Sequence, residues 1–182
     1  MKRSTIWTAV GVVAVVAVGT FYILTGVGDK GNATQELDAQ SLKQLVHDYS
    51  VRNLTAESAS ITPRQLIVNG DTANSKTYDL PKDEFFVSIA PYVEQTHPCE
   101  IHSLTGCQGE MAEQEFQVNV TDSEGRTVVD QTMKSQANGF IDLWLPRDQT
   151  YRVTVEHDGK TAESEISTFD NDNTCITTLQ LS

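Results

Sequence analysis

From residue 84 onward the chain repeats one local pattern, short runs in which apolar and polar residues take turns, separated by turn formers. Successive side chains of an extended strand point to opposite faces, so such runs fold as strands with one dry and one wet face. Phe116, Val118 and Val120 alternate with Gln117 and Asn119, and Tyr151, Val153 and Val155 alternate with Arg152 and Thr154. Runs of this kind cover 84–92, 115–121, 126–133, 138–145, 151–157, 161–169 and 174–181. Gly125 and Gly159 stand where hairpins need positive φ. Seven strands predict a mainly β fold with a β-sandwich-like domain over 81–182, interrupted once at 97–110. Phe140 and Trp144 read as core or sheet surface.

Ahead of that body the period changes. Leu37, Leu42, Leu45, Val46 and Tyr49 recur at spacings of three to five, which predicts one helix over 38–50 capped by Asp38 or Ser41. Two β-prone runs, 59–62 and 65–68, follow on either side of Pro63 and complete a small α+β domain over 38–80. The polar stretch 71–82 is the expected junction. A unit this small buries little area alone, so it is expected to pack on another body or on a second copy of itself, a homodimer through the amino-terminal domain.

Residues 4–28 carry no charge, and their 6–27 core is 22 residues, roughly 33 Å as a helix. Lys2 and Arg3 precede it, which keeps the short end in the cytoplasm and exports the rest. Residues 1–30 are expected to be a signal anchor in the membrane, with a cleaved signal peptide as the alternative. Residues 31–37 are small and polar and read as a flexible tether. The chain is therefore extracytoplasmic, either membrane-anchored or secreted. Thirteen basic against 25 acidic residues give a net charge of −12, so a phosphate backbone is repelled and nucleic acid is excluded as a partner.

Three cysteines are too few for a disulfide scaffold, and an odd count leaves at least one thiol outside any intramolecular bridge. Cys99 and Cys107 are separated by seven residues, with His97 and His102 close by. Cys175 follows the acidic turn 170–173 at the start of the last strand; a terminal strand often pairs beside an earlier one, which would let Cys175 reach the Cys99–Cys107 loop, but the sequence alone does not place it there. Thiolates suit a soft, low-coordinate ion such as Cu(I), and imidazoles suit Cu(II) or Zn(II). Zinc's closed four-ligand signature is missing. The competing reading of Cys99 and Cys107 is a structural disulfide pinning a loop, with Cys175 a buried small hydrophobe. His97 and His102 have plain readings as a turn residue and a surface residue. His47 and His157 read as solvated, and 170–173 as a solvated turn rather than a calcium loop. GxSxG, HExxH, CxxC, GxxxxGK[ST] and GxGxxG are all missing, which leaves hydrolase, zinc-protease and nucleotide readings without an anchor.

The segment THPCEIHSLTGCQGEM (96–111), together with FDNDNTC (169–175), resembles the CueP family of exported bacterial copper-binding proteins. The resemblance implies that Cys99, Cys107 and Cys175 converge on one copper site, with His97 and His102 as auxiliary ligands that capture Cu(II). It implies a role in copper resistance, copper delivery to a superoxide dismutase and, in some members, reduction of Cu(II) to Cu(I), with Cys99 and Cys107 as the electron-donating pair. A thiol–disulfide reductant and a copper-accepting protein are then the expected partners. A two-domain, V-shaped form dimerising through its amino-terminal part is implied as well. Two other classes stay open: a non-catalytic envelope interaction module with a permanent Cys99–Cys107 bridge, and a protein thiol oxidoreductase.

Overall fold

The helix is the simplest consequence of the sequence. The computed structural model describes residues 34–182, so the 6–27 membrane segment and residues 31–33 of the expected tether lie outside the described residues, while Thr34 and Gln35 of that tether pair with a later strand rather than hang free. Helix α1 (Ala39–Ser50) starts at Asp38, whose backbone is still extended. The Asp38 carboxylate accepts the Ser41 N–H at 3.0 Å and the Ser41 hydroxyl at 2.6 Å, satisfying a donor that the first helical turn leaves unpaired. Leu42 and Val46, four residues apart, are buried on one face. Among the described residues no helix is long and apolar enough to cross a membrane.

The fold is mainly β. Strands β1 (Thr34–Gln35), β2 (Ala59–Ile61), β3 (Gln65–Val68) and β4 (Lys76–Asp79) precede β5 (Glu84–Ile89) and a two-residue β6 (His102–Ser103). One sheet has the order β1-β4-β3-β2-β6. Strand β4 lies within the stretch expected to be a polar junction: its central residues Thr77 and Tyr78 are buried while Lys76 and Asp79 are exposed. Two buried side chains were too little for the composition to reveal a strand. Strand β6 comes from the 97–110 interruption and pairs antiparallel with β2, Ile61 opposite His102. The cysteine loop is thus the edge of the sheet that begins in the amino-terminal segment.

The remaining strands are β7 (Glu115–Asp122), β8 (Thr127–Lys134), β9 (Ile141–Pro146), β10 (Thr150–His157), β11 (Lys160–Ser167) and β12 (Cys175–Ile176). They form a four-stranded sheet, β11-β10-β7-β8, and a three-stranded sheet, β12-β5-β9. Phe85, Val87 and Ile89 of β5 meet Phe116, Val118 and Val120 of β7 in one core that both sheets share. Phe86, on the other face of β5, joins a second core with Leu42, Val46, Ile61, Leu66 and Leu104. That double burial explains why β5 reads as a continuous apolar run rather than an alternating one. The strand expected over 174–181 shortens to Cys175–Ile176. Beyond it the backbone bonds to Tyr92 in passing, and Leu179 and Leu181 are still buried.

Two surface readings change. The 170–173 turn is ion-paired rather than simply solvated: Asp170 meets Arg64 and the buried Arg147, and Asp172 accepts the Phe169 N–H at 2.6 Å. His157 is mostly covered, its ring against Phe116 and its Nδ1 2.8 Å from the Glu115 carbonyl oxygen. In both cases residues remote in sequence, Arg64 and Arg147 for Asp170 and Glu115 and Phe116 for His157, supply the partner.

Arg147 also donates to the carbonyl oxygens of Pro63 and Glu84, at 2.9 and 3.0 Å, so one buried guanidinium joins three chain segments. Replacing it by Leu strips three charge-assisted hydrogen bonds and destabilises the fold by about 2–4 kcal/mol in urea unfolding. Arg64 first, then Arg147, hold the Asp170 carboxyl below its ordinary value of 3.8. A carboxylate with a lowered folded pKa contributes stability above its unfolded pKa and loses it as pH falls through the folded value. Asp170→Asn therefore flattens the acid end of the stability–pH curve, below about pH 4, as read by urea midpoints at stepped pH.

Candidate metal centre

The loop carrying two of the cysteines is fixed by its own short-range bonds. Cys107 N–H donates to the Ser103 carbonyl at 2.9 Å, closing a tight turn, and Ser103 N–H in turn points at Cys107 Sγ at 3.4 Å. A Cβ on Gly106 would stand 2.8 Å from Ser103 Oγ, so a side chain there would displace the hydroxyl that accepts the Gly106 N–H at 3.0 Å. Leu104 inserts into the core and its N–H donates to the Ala59 carbonyl at 2.8 Å, fastening the loop to β2.

Cys175 arrives from the other end of the chain on β12, which lies parallel to β5 with Cys175 opposite Ser88. Thr174 places it. Its hydroxyl donates to the Ile61 carbonyl at 2.6 Å and accepts the His102 N–H at 3.0 Å. Its N–H donates to the Glu100 carbonyl at 2.9 Å, and its carbonyl accepts the Ser88 N–H at 2.9 Å. A fully buried Thr174 thus sews together β2, β5, β6 and β12.

The three sulfurs converge. Cys99 and Cys175 are joined in a disulfide with Cα atoms 5.6 Å apart, 76 residues distant in sequence. Cys107 is free and buried, its Sγ 3.5 Å from Cys99 Sγ. The bridge therefore joins Cys99 to the late cysteine rather than to its near neighbour in sequence. A permanent Cys99–Cys107 bridge, on which the interaction-module reading rested, is overturned by this pairing: the Ser103–Cys107 turn holds that loop without a bridge. Burial pushes the Cys107 thiol above its ordinary pKa, against the Ser103 N–H bond that favours the thiolate. A sulfur at this position is within reach of attack on the Cys99 end of the disulfide.

His97 and His102 part company. His102 is fully buried, not a surface residue, with its ring 4.6 Å from that of Phe140. Both of its ring nitrogens lack a hydrogen-bond partner among the described residues. Burial brings its pKa down to about 4, with Asp142 opposing and His97 reinforcing the shift. It is a neutral imidazole with a free lone pair, the form in which histidine ligates metals. His97 is half-buried on the wall of a surface pocket of about 240 Å³ that Gln108 and Glu110 also line. Donor atoms of His97, Cys99 and Cys107 lie within 4.8 Å of one another, as do those of His102, Cys107 and Cys175. His47 is in neither set. Two thiolates and an imidazole within this reach fit a soft or borderline ion such as copper.

Residues beside the motif supply the frame. Gly109 N–H donates to the Asn138 carbonyl at 2.6 Å, and a Cβ on Gly109 would lie 2.7 Å from the Gly139 carbonyl oxygen, so two backbones cross where only glycines fit. Glu110 accepts N–H groups from Val93, Glu94 and Gln95, pinning the strand exit that leads to His97. Thr174 and Phe140 were not identified as site residues from the sequence. The position of Thr174 directly before Cys175 was the available signal.

Thr174→Val keeps the shape but orphans the Ile61 carbonyl and the His102 N–H. It costs roughly 1–3 kcal/mol for each buried group left unpaired. Thermal unfolding checks the cost, and disulfide mapping checks that the Cys99–Cys175 bridge forms less completely.

Comparison with known proteins identifies the family. Residues 40–180 match the family model described as periplasmic copper-binding protein CueP. The structure is similar to one solved as the crystal structure of S.CueP, with 42% sequence identity, a TM-score of 0.72, and coverage of 78% of this chain and 88% of that one. No curated protein matches the chain. On the strength of a family match over most of its length, the chain belongs to the CueP family.

Proposed function

We propose that this protein is an extracytoplasmic copper protein that binds Cu(I) through the thiolates of Cys99, Cys107 and Cys175 and serves copper resistance. The observation that carries the reading is the meeting of three sulfurs with a buried, unpartnered His102 imidazole. Burying that imidazole without partners is unfavourable, and a bound soft ion offsets the cost. The surplus of acidic residues draws cations to the surface without choosing among them, so selection rests with sulfur. Residues 6–27 hold the protein at the membrane, 38–80 and 81–182 act as its two domains, and the first of these mediates a homodimer.

The same sulfurs supply electrons. Two thiolates closing one disulfide release two electrons, which reduce two Cu(II) to two Cu(I). Cys99 is the common donor: it is bonded to Cys175 and stands 3.5 Å from Cys107, so either neighbour closes on it. A thiol reductant must reopen the bridge before the three-thiolate site exists again, and a copper-accepting protein then removes the ion. A second reading, a thiol oxidoreductase acting on other proteins, is favoured by the free Cys107 beside a bridged Cys99.

Alkylation of the denatured protein gives one reactive thiol without reductant and three with it. Reduced protein competes with a chromogenic chelator for Cu(I), and Cys175→Ser weakens that binding by about tenfold or more, some 1.4 kcal/mol. Unchanged affinity in that variant removes the three-thiolate site. Reduced protein given Cu(II) yields about two Cu(I) per disulfide formed, as the electron count requires. Mixed disulfides trapped with other proteins, in the absence of any copper effect, would favour the oxidoreductase instead.

A further inference from the structure

The five candidate ligands do not form one coordination sphere. Two donors on one ion, each at about 2.0–2.3 Å, lie no more than about 4.6 Å apart. With histidine the donors form two triplets, His97 with Cys99 and Cys107, and His102 with Cys107 and Cys175, each within 4.8 Å, and neither contains both imidazoles; the three sulfurs, also within that reach of one another, link the two. Cys107 is common to both. The triplets also differ in depth. His97 and Cys99 are half-buried, and His97 faces the surface pocket that Thr96, Gln108 and Glu110 help to line. His102 and Cys175 are 0% and 1% exposed, beneath Phe140.

Resting on the copper reading above, we propose that the reduced centre is a two-position path: Cu(I) is captured at His97, Cys99 and Cys107 and then passes inward to His102, Cys107 and Cys175. The step is a ligand exchange without electron transfer. Cys175 binds as His97 leaves, which gives the three-thiolate set proposed above, and His102 then binds as Cys99 leaves; the bond to Cys107 persists throughout, so the ion is never released. Cys107 has the fixed backbone that such a pivot needs, through the tight turn closed on Ser103. The inner position gives His102, whose ring nitrogens have no other partner among the described residues, its ligand. At the outer position His97 lines a surface pocket, which gives the ion a way in. His97 is thereby an entry residue and His102 a holding residue, and the two histidines are not equivalent auxiliaries.

The test uses reduced full-length protein and Cu(I) presented as a chromogenic chelate, with uptake and release followed by stopped flow. H97Q slows uptake by about tenfold and slows release with it, the behaviour of a group on the path rather than at its end. H102Q speeds release by about tenfold or more without a matching loss of uptake rate. A measurement on the wild type guards against misfolding of the H102Q variant: at equilibrium, Cu(I) shifts the ring resonances of His102 and leaves those of His97 in place. Equal perturbation of both rings, or equal effects of both variants on release, overturns the two-position path while leaving copper binding intact. Failure of the wild type to take Cu(I) at all overturns the copper reading, and the path with it.

Discussion

The centre depends on one buried hydroxyl. Thr174 uses its side chain and both backbone polar groups to hold four strands that begin far apart in the chain, and the residue after it is Cys175. A buried polar group is costly unless satisfied, and here each bond Thr174 makes also satisfies a group on another strand. Registry between β12 and the cysteine loop follows from this. Cys175 does not reach Cys99 by chance of a flexible tail; it is delivered by a hydrogen-bonded crossing whose misplacement would leave the Ile61 carbonyl and the His102 N–H unpaired in the core.

Around that crossing, the pocket favours neutral donors over charged ones. Phe140, Ala90 and the buried cysteines form a small apolar cluster, and within it the His102 imidazole is neutral and the Cys107 thiol resists ionisation. Such an environment disfavours a hydrated ion and favours one that gives up water for sulfur and nitrogen. The backbone crossing of Gly109 and Gly139 closes the pocket tightly, since any side chain at either position would meet main chain on the other side. Glu110 then gathers the N–H groups of 93–95 and so fixes the outer approach on which His97 stands. Gln-Gly-Glu, which follows Cys107, is a structural frame for the site rather than part of its donor set.

The bridge adds a redox state to this geometry. With Cys99 and Cys175 joined, each of the two donor triplets lacks one thiolate, and Cys107 alone retains its sulfur in both. Oxidation therefore disables both positions together. On the proposed reading, the thiol state of the compartment then decides whether a soft ion is held, a coupling that follows from Cys99 and Cys175 sitting on opposite triplets while being bonded to each other.

Local physics wrote much of this into the sequence. The period-two alternation determined β7 and β10, the Asp38 cap and the Leu42–Val46 spacing determined α1, and the soft-ligand cluster marked 97–107 as the chemical part of the chain, because each of these depends on residues within a few positions of one another. Strand β4 and the early end of β12 escaped, since pairing with other strands is something the local pattern cannot see. The same limit applied to the site. Which cysteine would be bridged, which histidine would be buried without a partner, and which threonine would align them were decided by tertiary structure alone, because a hydrogen bond or disulfide across 72 to 113 residues leaves no periodic trace in the segments it joins.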